Sequence, residues 1–560
     1  MVNNPPEQSY TRREFLDRSL KTAAALAVST AVPGLGVGCG RGGHGDLDVV
    51  IKNATIFDGT SAEPFVADIG IQKDRIVSLG GIDSPASTVI QASGKVVTPG
   101  FIDVHTHCDL TFQKSGLKRY LAYIMPSWKG NYNYVYQGVT TVVTGNCGYG
   151  YTDVDQWLNL ADSVGFGTNL YTLVPHGMIR EALFGVKQPE ELNGRQLNAM
   201  EKRVAEEMEK GAVGLSTGLE YAPGYLARTD ELIALAGVVR KYGGIFTSHM
   251  RDESGRGYPD GRAGVIRSID EMIEIGRRAD IPVQISHLKI SLPINRLSSE
   301  DVLERIEGAR RQGVELHADQ YPYAAGSTLL SHLLPNEMKT SSGIKEEFRT
   351  GDGKRRMIRA MDSVFSIYPP EKTMITMHSE NESYEGKTLK EIAEIEQTTP
   401  ARCYADMVCE KTLPIAVYFF QDMNIVRELM PHDYIMTASD GWTVPMGMSL
   451  PHPRVYGTFP KKLNQFVRNE KLMSFKKAIR SMTSLPAEKF RMKGRGKIET
   501  GAYADIVVWD KSGIKDDATY SDPHHYSEGV EWLLVNGVIA IENKKATRNR
   551  GGRALRVGSV

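Results

Sequence analysis

The chain has 560 residues with 67 basic and 67 acidic side chains, so its formal net charge is zero, and 41% of its residues are hydrophobic. That composition excludes a disordered chain, a collagen-like repeat and a disulfide scaffold, and the balanced charge offers no global field to draw in nucleic acid. Five cysteines (Cys39, Cys108, Cys147, Cys403, Cys409) are too few and too scattered for a disulfide framework, which leaves metal binding or burial as their default roles.

The first element reads as an export signal. Thr11-Arg12-Arg13-Glu14-Phe15-Leu16 sets paired arginines before a hydrophobic pair, and a weakly apolar run from Thr22 to Val37 follows. This is the pattern of a twin-arginine signal peptide over residues 1–38, and Pro33, Gly34, Gly36 and Gly38 argue against a stable helix there. The run is too short and too polar for a lasting membrane span, which needs roughly 20 apolar residues. No other segment qualifies. Cleavage is expected near the small residues after Ser29 or just before Cys39, where Gly36-Val37-Gly38-Cys39 is an imperfect lipobox and makes Cys39 a candidate lipid anchor. The expected partner is the twin-arginine export machinery, and the expected location is the periplasm.

From Leu47 the text alternates as strands do, through Asp48 to Phe57, Asp68 to Ile71 and Arg75 to Val77, with Gly- and Asp-bearing turns between them. The same register returns at Ala504 to Trp509 and Trp532 to Gly537. Residues 46–99 and 495–560 are therefore expected to build one small β-sandwich domain together.

Between the two ends, residues 100–494 hold eight apolar runs of strand length: Gly100 to His107, Thr140 to Cys147, Asn169 to His176, Gly211 to Leu219, Gly244 to His249, Pro282 to His287, Gly313 to Tyr321 and Tyr434 to Asp440. Helix-like segments such as Leu197 to Gly211, Asp230 to Tyr242 and Val265 to Arg278 separate most of them. Repeated β-then-α order with buried strands predicts an α/β fold, a closed (β/α)₈ TIM barrel. Residues 331–431 are long for a loop between the seventh and eighth strands and carry a helical pattern at Ser342 to Met361, so they are expected to form an inserted lid subdomain.

Active sites of such barrels lie at the C-terminal ends of the strands, so the polar residues closing each run are expected to converge. His105 and His107 close the first run at i and i+2, which points both imidazoles to one side. Cys147 closes the second between glycines, His249 the fifth, His287 the sixth and Asp440 the eighth. Any one of these alone reads as packing or a hydrogen-bonded core residue. Together, four imidazoles, a thiol and a carboxylate supply ligands for one or two Zn²⁺ or similar ions.

Pro99-Gly100-Phe101-Ile102-Asp103-Val104-His105-Thr106-His107, the single histidines of the fifth and sixth runs, and Ser439-Asp440-Gly441 resemble the amidohydrolase superfamily. Gly-Asn-Cys-Gly at 145–148, Ser-Thr-Gly-Leu-Glu-Tyr at 216–221, His-Met-Arg-Asp-Glu at 249–253, Asp-Gln-Tyr-Pro-Tyr at 319–323 and His-Pro-Arg-Val-Tyr-Gly-Thr-Phe at 452–459 resemble its D-aminoacylase, or N-acyl-D-amino-acid deacylase, family. The resemblance implies a tight zinc on Cys147, His249 and His287. It also implies a second, weaker position at His105, His107 and Asp440, with Cys147 bridging in place of a carboxylated lysine or a glutamate.

Zinc acidifies water and polarises an amide carbonyl. Asp440 is then expected to act as general base and afterwards as general acid. For the substrate, an N-acyl-D-amino acid or a dipeptide with a C-terminal D-residue, the resemblance implies contacts from Lys289, Tyr321, Ser327 and Arg454 to the α-carboxylate, with Tyr221 near the acyl or side-chain pocket. Export in the folded state suits an enzyme that loads its metal first.

Gly214-Leu215-Ser216-Thr217-Gly218 matches a serine nucleophile elbow, but no helix pattern follows it directly, which argues against a Ser216 nucleophile. His176 is expected to hydrogen bond rather than ligate, and His317 and Cys108 to be structural. Cys403 and Cys409 are weighed as a disulfide within the insertion, although their helical spacing does not suit one. His432, His452, His524 and His525 read as loop residues. Two other readings remain at this point: an amidohydrolase for cyclic or other amides, and a non-catalytic scaffold. Ser254 to Arg262 and Trp442 to Leu450 depart from the family pattern and flank the mouth, which implies an unusual acyl or side-chain preference.

Overall fold

The computed structural model describes residues 47–558 apart from 114–121, 186, 292–296 and 341–342. The twin-arginine motif and Cys39 lie outside the described residues. Among the described residues no helix is long and apolar enough to cross a membrane.

Strands from both chain ends share one nine-stranded sheet. Its joint is the antiparallel pair of Val96–Pro99 with Ile506–Trp509, in register Val97 to Val508. Leu47–Ile56 pairs in parallel with two strands, Ala86–Gln91 along its first half and Val96–Pro99 along its second, so the sheet branches there. The layers expected of a sandwich are thus hydrogen-bonded into one continuous sheet. Inward-facing Ile51, Ile56, Ile69, Ile71, Ile506 and Leu534 pack in a core of its own.

Eight parallel strand segments make the barrel. Phe101–Asp103, Val139–Thr144 and Asn169–Thr172 pair in succession, and Val174–Pro175 continues the third strand onto Gly214–Gly218. Ile245–His249, Val283–Ile285, Leu316–Gln320 and Ile435–Thr437 follow. The ring closes at Thr106 and Gly441, where His107 N donates to the Gly441 carbonyl at 2.7 Å and Asp440 N to the His105 carbonyl at 2.9 Å.

Side chains alternate across each strand. Phe101, Val142, Leu170 and Ile435 join the core under the outer helices, while Ile102, Val143, Tyr171 and Met436 fill the barrel interior with Leu485 and Phe490. The helices follow from their caps and stripes. Gly194–Glu209 starts three residues before the apolar pattern because Asn193 and Gln196 form a reciprocal cap there. Gly264–Ala279 buries Val265, Ile269, Met272, Ile273 and Gly276 along one face.

The insertion opens earlier than its charged sequence suggests. Gly326–Leu329, Ile415–Tyr418 and Thr373–Met377 form an antiparallel sheet, covered by Gly351–Phe365, Leu389–Ile395 and Pro400–Val408. A separate cluster including Leu330, Met357, Met361, Ile392 and Tyr404 gives it a core of its own. At its far end, Met423–Leu429 buries Ile425 and Leu429 in the main core and belongs to the barrel, so the subdomain ends short of residue 431. Cys403 and Cys409 carry free thiols, so the weighed disulfide is absent: one sits within the helix and the other caps its end.

Candidate active site

The strand ends bring the polar side chains together. Cys147 Sγ lies 3.3 Å from His105 Nε2, 3.7 Å from His287 Nε2 and 3.9 Å from His249 Nδ1. Asp440 Oδ1 lies 3.2 Å from His107 Nε2 and 3.6 Å from His105 Nε2. The backbone is bent to achieve this. Cys147, His287 and Asp440 take φ values of 55°, 35° and 50°, the left-handed region that side chains rarely adopt and that costs roughly 1–3 kcal/mol at each position.

Glycine is needed on both sides of Cys147. A Cβ on Gly145 would stand 2.5 Å from the Leu173 carbonyl oxygen, and one on Gly148 2.9 Å from the Gly218 nitrogen. Ser216 clamps this loop: its buried Oγ donates to the Gly145 carbonyl and accepts from Gly148 N at 3.1 Å. It is therefore spent on the backbone and is not poised to attack. Asp103 ties the first strand to the eighth by accepting from His105 N at 3.2 Å and Ser439 N at 3.1 Å. Burial pushes its pKa up to about 7.

The donor set fits zinc. Ligands about 2.0–2.3 Å from a tetrahedral ion stand roughly 3.6 Å apart, and the separations above scatter closely around that value. Among the described residues three groups of potential ligands have their ligand atoms within 4.8 Å of one another: His105, Cys147 and His287; His105, His107 and Asp440, which shares His105 with the first; and His249, Glu253 and His287, so that His249 groups with Glu253 rather than with Cys147. Thiolate and imidazole are donors that zinc prefers.

Each imidazole facing Cys147 turns its other nitrogen toward a carboxylate: His249 Nε2 to Glu220 at 2.8 Å, His287 Nδ1 to Glu253 at 3.1 Å, and His105 Nδ1 to Asp319 at 3.4 Å. Such partners fix ring orientation and raise ligand basicity. None of the three acids was singled out from the sequence, although all lie inside the quoted motifs. Glu253 stands at i+4 from His249.

The thiol and the carboxylate of the cluster are each held in the ionised form that binds a cation. Burial pushes the Cys147 thiol up, but the His105 imidazole and hydrogen bonds from His105, His107 and His249 outweigh it and hold the thiol well below its ordinary range. Burial likewise opposes ionisation of Asp440, yet the Arg454 guanidinium and the His107 hydrogen bond keep it a carboxylate.

Above the cluster is a cavity of about 250 Å³, lined by all five residues expected to touch substrate, Tyr221, Lys289, Tyr321, Ser327 and Arg454. The buried Arg454 stacks over Tyr321 at 4.8 Å, donates to the Ser327 carbonyl at 3.1 Å and leaves its Nε without a hydrogen-bond partner among the described residues. Gln421 donates to Tyr321 Oη at 3.1 Å. Tyr221 packs on His249 with ring centroids 4.5 Å apart. Lys289 is committed inward, salt-bridged to Glu253 and 2.8 Å from His287 Nδ1.

His452 lies in a loop, as expected, but not at the surface. It is buried, accepts from Arg454 N at 3.0 Å and meets the Ala325 carbonyl at 3.0 Å, so it seats the arginine against the base of the lid. His332, from the lid, also lines the cavity. His176 bonds Glu231 at 2.9 Å, away from the cluster, and His317 and Cys108 are buried in packing.

A model described as "Amidohydrolase family" matches residues 397–541. An N-acyl-D-glutamate deacylase of Alcaligenes xylosoxydans xylosoxydans is 32% identical, covering 91% of this chain and 96% of that protein. A D-aminoacylase of the same organism is 31% identical, covering 91% and 97%. The fold is similar to that of an N-acyl-D-glutamate deacylase from Bordetella bronchiseptica, solved with zinc and a phosphonate mimic of the tetrahedral intermediate. The TM-score is 0.77 at 30% identity, covering 91% of this chain and 100% of that one. With the clustered strand-end side chains, the cysteine among them and this full-length likeness together, the chain belongs to the D-aminoacylase family of the amidohydrolase superfamily.

Proposed function

We propose that the protein is a zinc-dependent deacylase that releases D-amino acids from N-acyl-D-amino acids, or from dipeptides with a C-terminal D-residue. The observation that carries this is the position of Asp440, with one oxygen on His107 and the other on Arg454. A proton acceptor at the ligand cluster thus adjoins a buried cation of the kind an α-carboxylate seeks.

Zinc supplies the Lewis acidity that polarises an amide carbonyl and acidifies water. Arg454, with Tyr321 beneath it, holds the α-carboxylate and so fixes the scissile amide over the cluster. Asp440 Oδ1 accepts a proton from the water that adds to the acyl carbon. It returns that proton to the amide nitrogen as the C–N bond breaks, leaving a carboxylic acid and a free amine. A dihydropyrimidine or hydantoin ring has no α-carboxylate for Arg454, and a non-catalytic scaffold would bear the cost of a buried polar cluster for no return.

The test is the metal content of the purified protein together with hydrolysis of paired N-acetyl-D- and N-acetyl-L-amino acids, with Cys147→Ala as control. Zinc with D-selective amine release, lost in the control, is expected. Zinc with no turnover of either enantiomer overturns the deacylase reading.

We infer further that residues 1–38 direct twin-arginine export to the periplasm and that Cys39 is a lipid anchor. The Arg12-Arg13 motif, its apolar run and the imperfect lipobox support this. Cell fractionation tests it: Arg12→Lys with Arg13→Lys is expected to retain the protein in the cytoplasm, and Cys39→Ala to release it from membranes. Unchanged partitioning in either case removes the corresponding inference.

A further inference from the structure

The relatives differ in the side chain their names specify, and the walls of the cavity carry a choice between acidic and neutral ones. Two side chains lining it are permanent cations, Lys289 and Arg454. Lys289 is salt-bridged to Glu253, and Arg454 faces Asp440 at 3.0 Å, where the α-carboxylate is recognised. His332 stands 3.7 Å from Glu220, and Lys339 lies behind it, donating to the His332 carbonyl at 2.8 Å outside the cavity lining.

What remains on the lid side is uncharged and mainly apolar or aromatic: Leu329, Tyr368, Ile415, Tyr418 and Phe420, beside the neutral Ser327, Thr328 and Gln421. Tyr368 meets Phe420 edge-on at 5.0 Å. The Tyr418 hydroxyl donates to the Leu329 carbonyl at 3.0 Å and so is turned to the lid's own backbone. The opposite wall, with Leu110, Tyr149 and Trp442, also carries no cation among the described residues.

We propose that this chain selects neutral, apolar or aromatic D-residues and rejects D-glutamate and D-aspartate, a specificity that rests on the deacylase reading. A second carboxylate in the cavity would lose its water, find no free cation among the described residues of either wall and approach the Glu220 carboxylate. An aromatic or aliphatic side chain instead buries its surface against the lid.

The experiment is kcat/KM of the zinc-loaded full chain for N-acetyl-D-phenylalanine, -leucine, -alanine, -glutamate and -aspartate. The neutral large substrates are expected to exceed the acidic ones by at least about 100-fold, the scale of discrimination when a charge goes unpaired. Tyr368→Ala, checked for folding by its thermal midpoint, is expected to lower kcat/KM for the phenylalanine substrate about 10-fold while leaving the alanine substrate within about 2-fold. Acidic substrates equal to or better than neutral ones overturn the specificity and leave the deacylase intact. A uniform effect of Tyr368→Ala on both substrates overturns the role of the lid wall. No turnover of any of the five overturns the deacylase reading, and the specificity falls with it.

Discussion

Arg454 Nη1 sits 3.0 Å from Asp440 Oδ2, so in the proposed reaction one guanidinium serves both the proton acceptor and the carboxylate of the incoming substrate. The pairing predicts two separable effects of Arg454→Met. Loss of a charge-assisted contact raises KM about 10- to 100-fold, such bonds being worth roughly 1.5–3 kcal/mol. Burial pushes the Asp440 carboxyl up and Arg454 is the foremost group holding it down, so without the cation the acid limb of kcat moves to higher pH. Initial rates across a pH series, at low and saturating substrate, measure both.

Ser216→Ala separates a clamp from a nucleophile. The loop holding Cys147 loses its tie between the Gly145 carbonyl and Gly148 N, so zinc affinity is expected to fall about 10-fold, with activity restored by added zinc. A nucleophile would leave no such rescue. Chelator competition and zinc titration of activity distinguish the two.

Glu253→Gln is expected to weaken zinc binding about 10- to 100-fold, because the carboxylate orients His287 from 3.1 Å and also pairs with Lys289. The same substitution frees Lys289, so kcat/KM for acidic N-acyl-D-amino acids should rise relative to neutral ones once zinc is saturating. Metal content at fixed chelator and a two-substrate comparison read the two effects.

The convergence of these side chains is legible in the sequence because a strand end fixes direction: His105 and His107 two apart, His249, His287 and Asp440 each closing an apolar run. The orienting acids are not, since Glu220, Glu253 and Asp319 reach the imidazoles from three different loops and strands, and no period marks them. His452 does lie in a loop, but its burial is not legible in the sequence, because the Ala325 carbonyl that it meets at 3.0 Å is 127 residues away. The lid boundary was misplaced because Gly326–Leu329, half-buried and polar in its middle, lacks strand alternation and is defined by its partner Ile415–Tyr418.

Lys462 gives the protein an alkaline stability signature. Its buried ammonium, bonded to Thr437 Oγ1 at 2.8 Å and Ser481 Oγ at 2.9 Å, is pushed down from 10.5 to about 7, chiefly by burial. Between about pH 7 and 10.5 the unfolded chain holds a proton that the folded chain has released. Stability should therefore rise with pH through that window, by up to about 1.4 kcal/mol per pH unit from this group. Lys462→Met is expected to flatten the rise, seen in denaturant midpoints between pH 7 and 10.

The antiparallel joint between Val96–Pro99 and Ile506–Trp509 sets a timetable for the ribosome. The amino-terminal strands leave the exit tunnel with one edge bare, and the segment that covers it arrives about 400 residues later, a wait of roughly 20–80 seconds at 5–20 residues per second. Through that interval a row of unsatisfied amides is open to pairing with any neighbouring chain. Complete synthesis is thus a precondition for sealing the molecule, and a truncated product would be a substrate for chaperones and proteases rather than a smaller enzyme.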